Sequence, residues 1–354
     1  MLPTFRSAVR RKLLRWYEKD KRDLPWRRKL DPYAVWIAET MLQQTQVKTV
    51  IPYYAKFLQA FPTMESLARA PLQRVMRHWS GLGYYRRAEN LSKAARQIVR
   101  RHRGKIPDDY DRLRALPGIG DYTAGAVLSI AFDRRYPAID GNAQRVLRRL
   151  VRIENERELR ALGAALVPRT GPGRFNQALM ELGATLCTPR NPRCRACPLN
   201  SLCASRSGAQ TSGEVSERTA TKFKNVTWPL ALVRRGGKIL LRRRAGRGLL
   251  AGLWDLPGGQ LSRRERIATL LQDHLVELKL AGTPPKKIGE IRHAITYRRI
   301  RAPIYLVNFE PDAEVDLPAS RWRWIDPAKL RKQAISSMTA KAVALFANYE
   351  KNSH

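Results

Sequence analysis

The sequence predicts a two-part protein, a mostly α-helical N-terminal region followed by an α+β domain, and three observations support this fold class. Helical signals dominate from about residue 5 to 205. Residues 205–225 are polar and poor in large apolar side chains, which is typical of a linker. Short strand-like runs follow, and a chain of 354 residues is long enough for two or three such domains.

The helical region contains a recognisable helix start. Asp31 followed by Pro32 is typical of an N-cap and a first helical residue, and the run YAVWIAETMLQQTQV continues from them. Glu39 lies in this run with apolar residues one turn before and after it, so we expect the pKa of its carboxyl to be raised. A solvent-facing glutamate is the ordinary alternative.

The segment LRALPGIGDYTAGAVLSIAF, residues 113–132, predicts two helices joined by a tight turn. Gly118 and Gly120 let the backbone of this turn approach a partner closely. The free N–H groups of the turn and of the next helix form an anion site suited to a DNA phosphate. A plain helix–helix turn is the alternative, because G-x-G turns are common. Asp140 follows in AIDGNAQRVLRRL, where it could also act simply as a helix cap.

All the cysteines of the chain lie in one short, proline-containing stretch with the spacing C-x6-C-x2-C-x5-C. Such clustering favours a metal site over disulfides, because thiolates that converge on one centre need short, loop-rich spacing. Thiolate ligation alone accepts either zinc or an iron–sulfur cluster. The four candidate ligands are Cys187, Cys194, Cys197 and Cys203.

The formal net charge of +37 is dispersed along the chain rather than gathered in one run. Dispersed positive charge favours a polyanionic partner, above all nucleic acid, although a role in solubility or at an acidic membrane surface is an alternative. The longest apolar run, residues 124–132, is too short to span a bilayer, and the N-terminus lacks a signal-type stretch. We therefore expect no membrane association and a cytoplasmic protein, associated with the nucleoid if bacterial.

The last part of the sequence predicts an α+β domain. Five runs have the character of short strands, and two longer segments, RRERIATLLQDHLVELKL and SSMTAKAVALFANYE, have that of helices. The strand-like runs are TWPLALV, KILLRRR, LWDLPGG, APIYLVNF and WRWID.

The hairpin with its following aspartate, together with the cysteine spacing, resembles the endonuclease III superfamily of DNA glycosylases. WIAETMLQQTQVKTVIPYY and GLGYYRRAENL resemble the adenine DNA glycosylases of the MutY family within it, and GLWDLPGG resembles the start of that family's Nudix-like domain. The resemblance implies a helix–hairpin–helix glycosylase fold with an iron–sulfur cluster loop and a Nudix-like C-terminal domain. Its expected divisions are a helical region 1–206 (a six-helix module at about 30–135, an iron–sulfur module of 1–29 plus 136–206), a linker 207–225 and a recognition domain 226–354.

The resemblance also implies catalytic roles. Glu39 matches the glutamate that protonates the adenine, and Asp140 matches the aspartate that stabilises the positively charged sugar, with Asn142 beside it. Tyr122 occupies the position where bifunctional relatives carry a lysine that attacks the sugar. Because tyrosine cannot form an imine, water should complete the reaction and leave an abasic site.

Ligand contacts follow from the same resemblance. The four cysteines would hold a [4Fe–4S] cluster whose basic loop faces DNA phosphates. Ile295, Thr296 and Tyr297 stand where the family usually has Phe-Ser-His, which reads 8-oxoguanine. Nudix metal binding should fail, because the carboxylates of that motif are only partly present around Glu265. The expected substrate-binding residues are Arg27, Gln44, Thr45, Leu82, Tyr84, Gln177, Thr296 and Tyr297.

The sequence thus predicts a monofunctional DNA glycosylase that excises adenine mispaired with 8-oxoguanine or guanine in base excision repair. The expected partner is double-stranded DNA carrying such a mispair, bound by a monomer. Two alternatives are a thymine glycosylase acting on G·T mismatches and a non-catalytic DNA-binding module.

Overall fold

The structure is a computed structural model that describes residues 3–206, 223–245, 248–262, 265–277, 285–295, 297–309 and 317–352. The chain divides into two compact units. The first consists of Met1–Ala70 and Glu89–Thr219, and the second of Pro71–Ala88 and Ala220–His354.

The α-helices of the described residues occur in both units. In chain order they are α1 (Pro3–Asp20), α2 (Pro25–Arg28), α3 (Pro32–Leu42), α4 (Val47–Ala60), α5 (Met64–Arg69), α6 (Leu72–Trp79), α7 (Arg86–His102), α8 (Tyr110–Arg114), α9 (Asp121–Phe132), α10 (Gly141–Val151), α11 (Glu156–Leu166), α12 (Pro172–Thr185), α13 (Ile267–Glu277) and α14 (Ser337–Lys351). None of them is both long and apolar enough to cross a membrane.

The first unit is helical, as the sequence predicts. The side chain of Asp31 accepts a hydrogen bond from the backbone N–H of Ala34 at 2.9 Å, which confirms the expected start of α3. Helices α3 and α9 are buried along most of their length, because both are apolar on nearly every face. A second core forms where α1, α10, α11 and α12 meet, and Cys187, Cys197 and Cys203 pack against it.

The predicted hairpin lies between α8 and α9. Gly118 has a φ of +80°, and a Cβ atom there would lie 2.8 Å from Cβ of Asn90, so both conformation and space require glycine. Gly120 is the N-cap of α9, and a Cβ atom there would meet nothing within 4 Å. The turn therefore presents backbone N–H groups at the start of α9 with open space beside Gly120.

The second unit contains the α+β fold. Its sheet has the order β1-β6-β2-β3-β4, with β5 paired to β6 and β7 paired to β3. Strand β6 runs parallel to β1 and β2, and the other pairs are antiparallel. The strands are β1 (Lys224–Thr227), β2 (Leu230–Arg235), β3 (Lys238–Arg243), β4 (Trp254–Asp255), β5 (Lys286–Ile295), β6 (Arg298–Asn308) and β7 (Trp322–Ile325).

The second unit also includes Pro71–Ala88, the segment with α6 and the start of α7. The hydroxyl of Ser80 donates to the carbonyl oxygen of Ile335 at 2.6 Å, and the amide of Gln73 donates to the carbonyl oxygen of Gly252 at 3.0 Å. No pattern in the sequence indicates these contacts.

Candidate active site

A buried carboxyl lies at the centre of the first unit. Glu39 on α3 is 5% exposed, and the hydroxyl of Tyr122 on α9 donates a hydrogen bond to its Oε2 at 2.5 Å. Two helices that the sequence places far apart therefore bring an acid and a phenol into direct contact. The solvent-facing alternative for Glu39 is wrong, because the apolar faces of α3 are all buried.

The protonation of Glu39 depends on this setting. Burial raises the pKa of Glu39 to about 7, a hydrogen bond from Tyr122 opposes the rise, the charge of Asp140 adds to it, and the charge of Arg27 opposes it. A carboxyl with this pKa carries its proton in a large share of molecules near neutral pH. The expected pKa direction is therefore confirmed.

Asp140 is the N-cap of α10. Its Oδ1 accepts from the backbone N–H of Ala143 at 2.7 Å, and its Oδ2 accepts from Nδ2 of Asn142 at 2.9 Å. Burial raises the pKa of Asp140, and these hydrogen bonds act against that rise. Asp140 thus caps α10, and its negative charge also raises the pKa of Glu39.

Arg145 fixes the side chain of Asn142, which is hydrogen-bonded to Asp140. Its Nη2 donates to Oδ1 of Asn142 and to the carbonyl oxygen of Gly183, each at 2.8 Å, and its Nε donates to the carbonyl oxygen of Cys187 at 2.8 Å. With Oδ1 so engaged, the amide of Asn142 turns its Nδ2 toward Asp140. Sequence reasoning missed Arg145, although its spacing of three residues from Asn142 on one helix was a usable signal.

Helix α12 supplies a further wall of the site. The hydroxyl of Tyr17 donates to Oε1 of Gln177 at 2.6 Å, and Sδ of Met180 lies 3.2 Å from the hydroxyl of Tyr122. Glu181, one turn after Gln177, forms ion pairs with Arg22 at 2.7 Å and with Arg27 at 2.8 Å. Tyr17, Met180 and Glu181 were missed, because their partners are remote in sequence.

The LQQTQ motif ends α3. Gln43 is the C-cap, and its amide donates to the hydroxyl of Thr123 at 3.1 Å. Gln44 is exposed and has a φ of +57°, a left-handed conformation that costs free energy for any residue except glycine. The hydroxyl of Thr45 donates to the carbonyl oxygen of Gln43 at 3.4 Å. The turn thus holds Gln43 inward and presents Gln44 at the surface.

The cysteines follow α12 in a loop with two short 3-10 helices, Cys194–Ala196 and Asn200–Leu202. Burial raises the pKa of Cys197 to about 11, and the charges of the other three cysteines act in the same direction. Nη1 of Arg149 donates to Sγ of Cys187 at 3.4 Å. Across the described ranges, no group of three or more His, Cys, Asp or Glu side chains could hold a metal ion. Four sulfur donors in a basic loop nevertheless match the donor chemistry of an iron–sulfur cluster.

The remaining predicted residues belong to the second unit. Leu82 is buried, and Tyr84 is 42% exposed with a φ of +47°. Tyr297 is 40% exposed, and the guanidinium of Arg298 lies 4.4 Å from the centre of its ring. Thr296 lies outside the described residues. Glu265 of the Nudix-like motif accepts a hydrogen bond from the backbone N–H of Ser262 at 3.0 Å.

Two family models match the chain. Residues 37–169 match the "HhH-GPD superfamily base excision DNA repair protein" family, and residues 230–345 match the NUDIX domain. The chain is similar to a solved structure of a thermostable thymine-DNA glycosylase, with 30% identity and a TM-score of 0.54 over 57% of this chain and 97% of that one. It also has the fold of an endonuclease III in a trapped covalent complex with DNA, with 23% identity and a TM-score of 0.51 over 60% of this chain and 100% of that one.

Fold and site together define a helix–hairpin–helix protein of base excision DNA repair with an appended Nudix-like domain. Adenine DNA glycosylases of Rattus norvegicus and Homo sapiens are each 35% identical to the chain, over 98% and 96% of it and 79% and 74% of the relatives. The adenine DNA glycosylase of Buchnera aphidicola subsp. Baizongia pistaciae is 35% identical over 83% of the chain and 85% of its own length. The chain belongs to the adenine DNA glycosylase family.

Proposed function

We propose that the protein is a monofunctional adenine DNA glycosylase that hydrolyses the N-glycosidic bond of adenine mispaired with 8-oxoguanine or guanine and leaves an abasic site. The observation that carries this proposal is the buried Glu39, with a pKa near 7, in contact with Tyr122 and within the field of Asp140. Family membership supports adenine as the excised base.

The reaction needs the target base outside the helical stack, because its glycosidic bond is inaccessible within the duplex. Gln44 is suited to support the flipped state, since it is exposed at the end of α3 and held in a left-handed turn. The hairpin N–H groups beside Gly118 and Gly120 are suited to a backbone phosphate, which would fix the register of the DNA.

Bond cleavage divides charge between the sugar and the base. Glu39 donates its proton to the adenine, which makes the base a better leaving group. Asp140, held by Asn142 and the N-terminus of α10, keeps a negative charge close to the sugar as positive charge develops there. Water then adds to the sugar and gives up a proton to the carboxylate of Glu39, which restores the acid. Tyr122 has no amine with which to form an imine, so no strand cleavage follows.

The cysteine loop is proposed to hold a [4Fe–4S] cluster through Cys187, Cys194, Cys197 and Cys203. When bound, the cluster would supply iron–thiolate bonds that tie the loop together. The exposed arginines of this loop would then meet DNA phosphates as part of the interface with double-stranded DNA. We place the 8-oxoguanine reader at Thr296 and Tyr297, with Leu82 and Tyr84 packing around the same base.

A panel of duplexes tests the function. Substrates carrying A opposite 8-oxoguanine, A opposite G, A opposite C and T opposite G are scored for strand breaks with and without alkali. We expect alkali-dependent breaks at the adenine of the first two substrates. The similarity to a thymine-DNA glycosylase makes the T·G substrate the sharpest competitor, and preferential cleavage there would replace the proposal by a thymine glycosylase.

A further inference from the structure

Glu181 is a buried carboxylate that the reaction proposed above does not use. It lies on α12 and is 1% exposed. Arg22 donates to it through Nε at 2.7 Å, through Nη2 at 2.8 Å and through its backbone N–H at 3.2 Å. Nη2 of Arg27 donates to the same carboxylate at 2.8 Å. One anion is therefore shared by two guanidinium groups.

Burying this ion-pair cluster is unfavourable unless every charge has a partner, because a charge that leaves water loses its hydration. Burial alone would raise the pKa of Glu181, but hydrogen bonds from Arg22 and Arg27 lower it to about 2. Glu181 is therefore negative at every pH at which the protein is expected to work. The three side chains together carry one net positive charge.

Arg27 connects this cluster to the acid. Its side chain is 13% exposed, its Nη1 donates to the carbonyl oxygen of Arg22 at 3.0 Å, and its positive charge lowers the pKa of Glu39. The other groups acting on Glu39 are Tyr122 from α9 and Asp140 at the start of α10. The positive charge that Arg27 exerts on Glu39 therefore depends on how much of it Glu181 neutralises.

We propose that Glu181 is a positioning residue for base excision, which fixes the guanidinium of Arg27 through the 2.8 Å ion pair and offsets the positive charge that Arg27 exerts on Glu39. Arg22 binds the same carboxylate, so it reduces the negative charge that Glu181 offers to Arg27. We call Glu181, Arg22 and Arg27 the clamp. The proposal rests on the proposed function in one respect, namely that Glu39 acts as the proton donor.

Two substitutions that remove charges of opposite sign test the clamp. Glu181→Gln keeps the shape but leaves Arg27 uncompensated, so it should lower the pKa of Glu39. Arg22→Gln removes a positive charge and should raise it. Because excision requires protonated Glu39, the rate falls as pH rises through this pKa. The fall should therefore move to lower pH in Glu181→Gln and to higher pH in Arg22→Gln.

The expected displacement is about 0.5 pH unit or more for Glu181→Gln, the scale of one neighbouring charge at an effective dielectric constant of about 20. It should be smaller for Arg22→Gln, since the side chain of Arg22 is 39% exposed and water screens its charge. Both variants break a buried ion pair and should lower stability. Loss of stability alone cannot move the two profiles in opposite directions.

Two controls accompany these variants. Glu156→Gln makes the same chemical change in an exposed ion pair with Arg148 and should leave the profile where it is. Glu181→Asp keeps the charge but shortens the arm. It should retain the pH midpoint while lowering the rate at all pH values.

The measurements are single-turnover excision from an A·8-oxoguanine duplex and, independently, a ¹³C titration of the Glu39 carboxyl in the DNA-free protein. Opposite shifts in Glu181→Gln and Arg22→Gln support the clamp, and unchanged or parallel shifts in both measurements overturn it. If the unmodified protein releases no adenine, the proposed function fails. The carboxyl titration still decides the clamp in that case.

Discussion

Glu39 is the residue on which the proposed chemistry depends most directly. Glu39→Gln removes the proton donor and keeps the shape of a side chain that is almost fully buried. We expect adenine release to fall by about 10²-fold to 10⁴-fold, the usual range for a lost general acid. Single-turnover excision measures the effect, and a gel-shift titration should show DNA affinity largely intact. Full activity in this variant would remove Glu39 from the mechanism.

The acid also predicts a pH dependence. Its pKa in the folded protein is about 7, well above its ordinary value, because burial disfavours the charged form. In the proposed mechanism the active form is the protonated one, so the rate should be highest below pH 7 and fall as pH rises through that value. A rate that rises over this interval would show that Glu39 works as a base.

Tyr122 is expected to decide what happens to the sugar. It lies against Glu39 rather than offering an amine, so strand breaks should appear mainly after alkali. Tyr122→Lys places an amine at this position and should add strand cleavage. Borohydride should then trap the imine between this lysine and the sugar as a covalent complex. Denaturing gels with and without alkali measure both results. Efficient cutting by the unmodified protein without alkali would contradict the monofunctional assignment.

At the scale of elements, the hairpin between α8 and α9 offers a matched pair of glycines. Gly118→Ala forces a left-handed residue and a 2.8 Å approach to Asn90, whereas Gly120→Ala meets open space. We expect the first substitution to lower the free energy of unfolding by about 1 to 3 kcal/mol, and the second to change it little. Thermal melts separate the two variants.

Gly120→Ala should still weaken DNA binding, because the new methyl group occupies the space beside the anion site. Affinity for duplex DNA at several salt concentrations tests this expectation. Equal affinity of the Gly120→Ala variant and the unmodified protein would show that no phosphate approaches the turn.

Local sequence patterns predicted the helices that carry the site. They did not predict the contacts between those helices. The start of α3 at Asp31 and the apolar setting of Glu39 follow from spacing of three and four residues, which a linear pattern contains. Glu181 and Arg27 are separated by 154 positions, and Tyr17 and Gln177 by 160. Such pairs depend on how α1, α2 and α12 pack, and no periodicity within one segment encodes that packing.

For the whole molecule, recognition of the base opposite adenine is expected to involve Tyr297 at the exposed turn between β5 and β6. Tyr297→Ala removes an aromatic face that a base can stack on. It also removes a hydroxyl that can hydrogen-bond the N7–H or O8 side of 8-oxoguanine, which guanine lacks. It should therefore lower the A·8-oxoguanine rate more than the A·G rate, by about fivefold, since one hydrogen bond contributes about 1 kcal/mol. Val276→Ala, at an exposed position of α13, is the matched control. An equal loss on both mismatches would exclude Tyr297 as the reader.

The membership of Pro71–Ala88 in the second unit has a practical consequence for protein engineering. A chimera that exchanges the Nudix-like domain between two relatives is naturally joined in the polar stretch near residue 220. Such a junction separates Ser80 and Gln73 from the carbonyl groups of Ile335 and Gly252 to which they donate hydrogen bonds. A functional exchange should therefore transplant two segments, Pro71–Ala88 together with the C-terminal portion, rather than one.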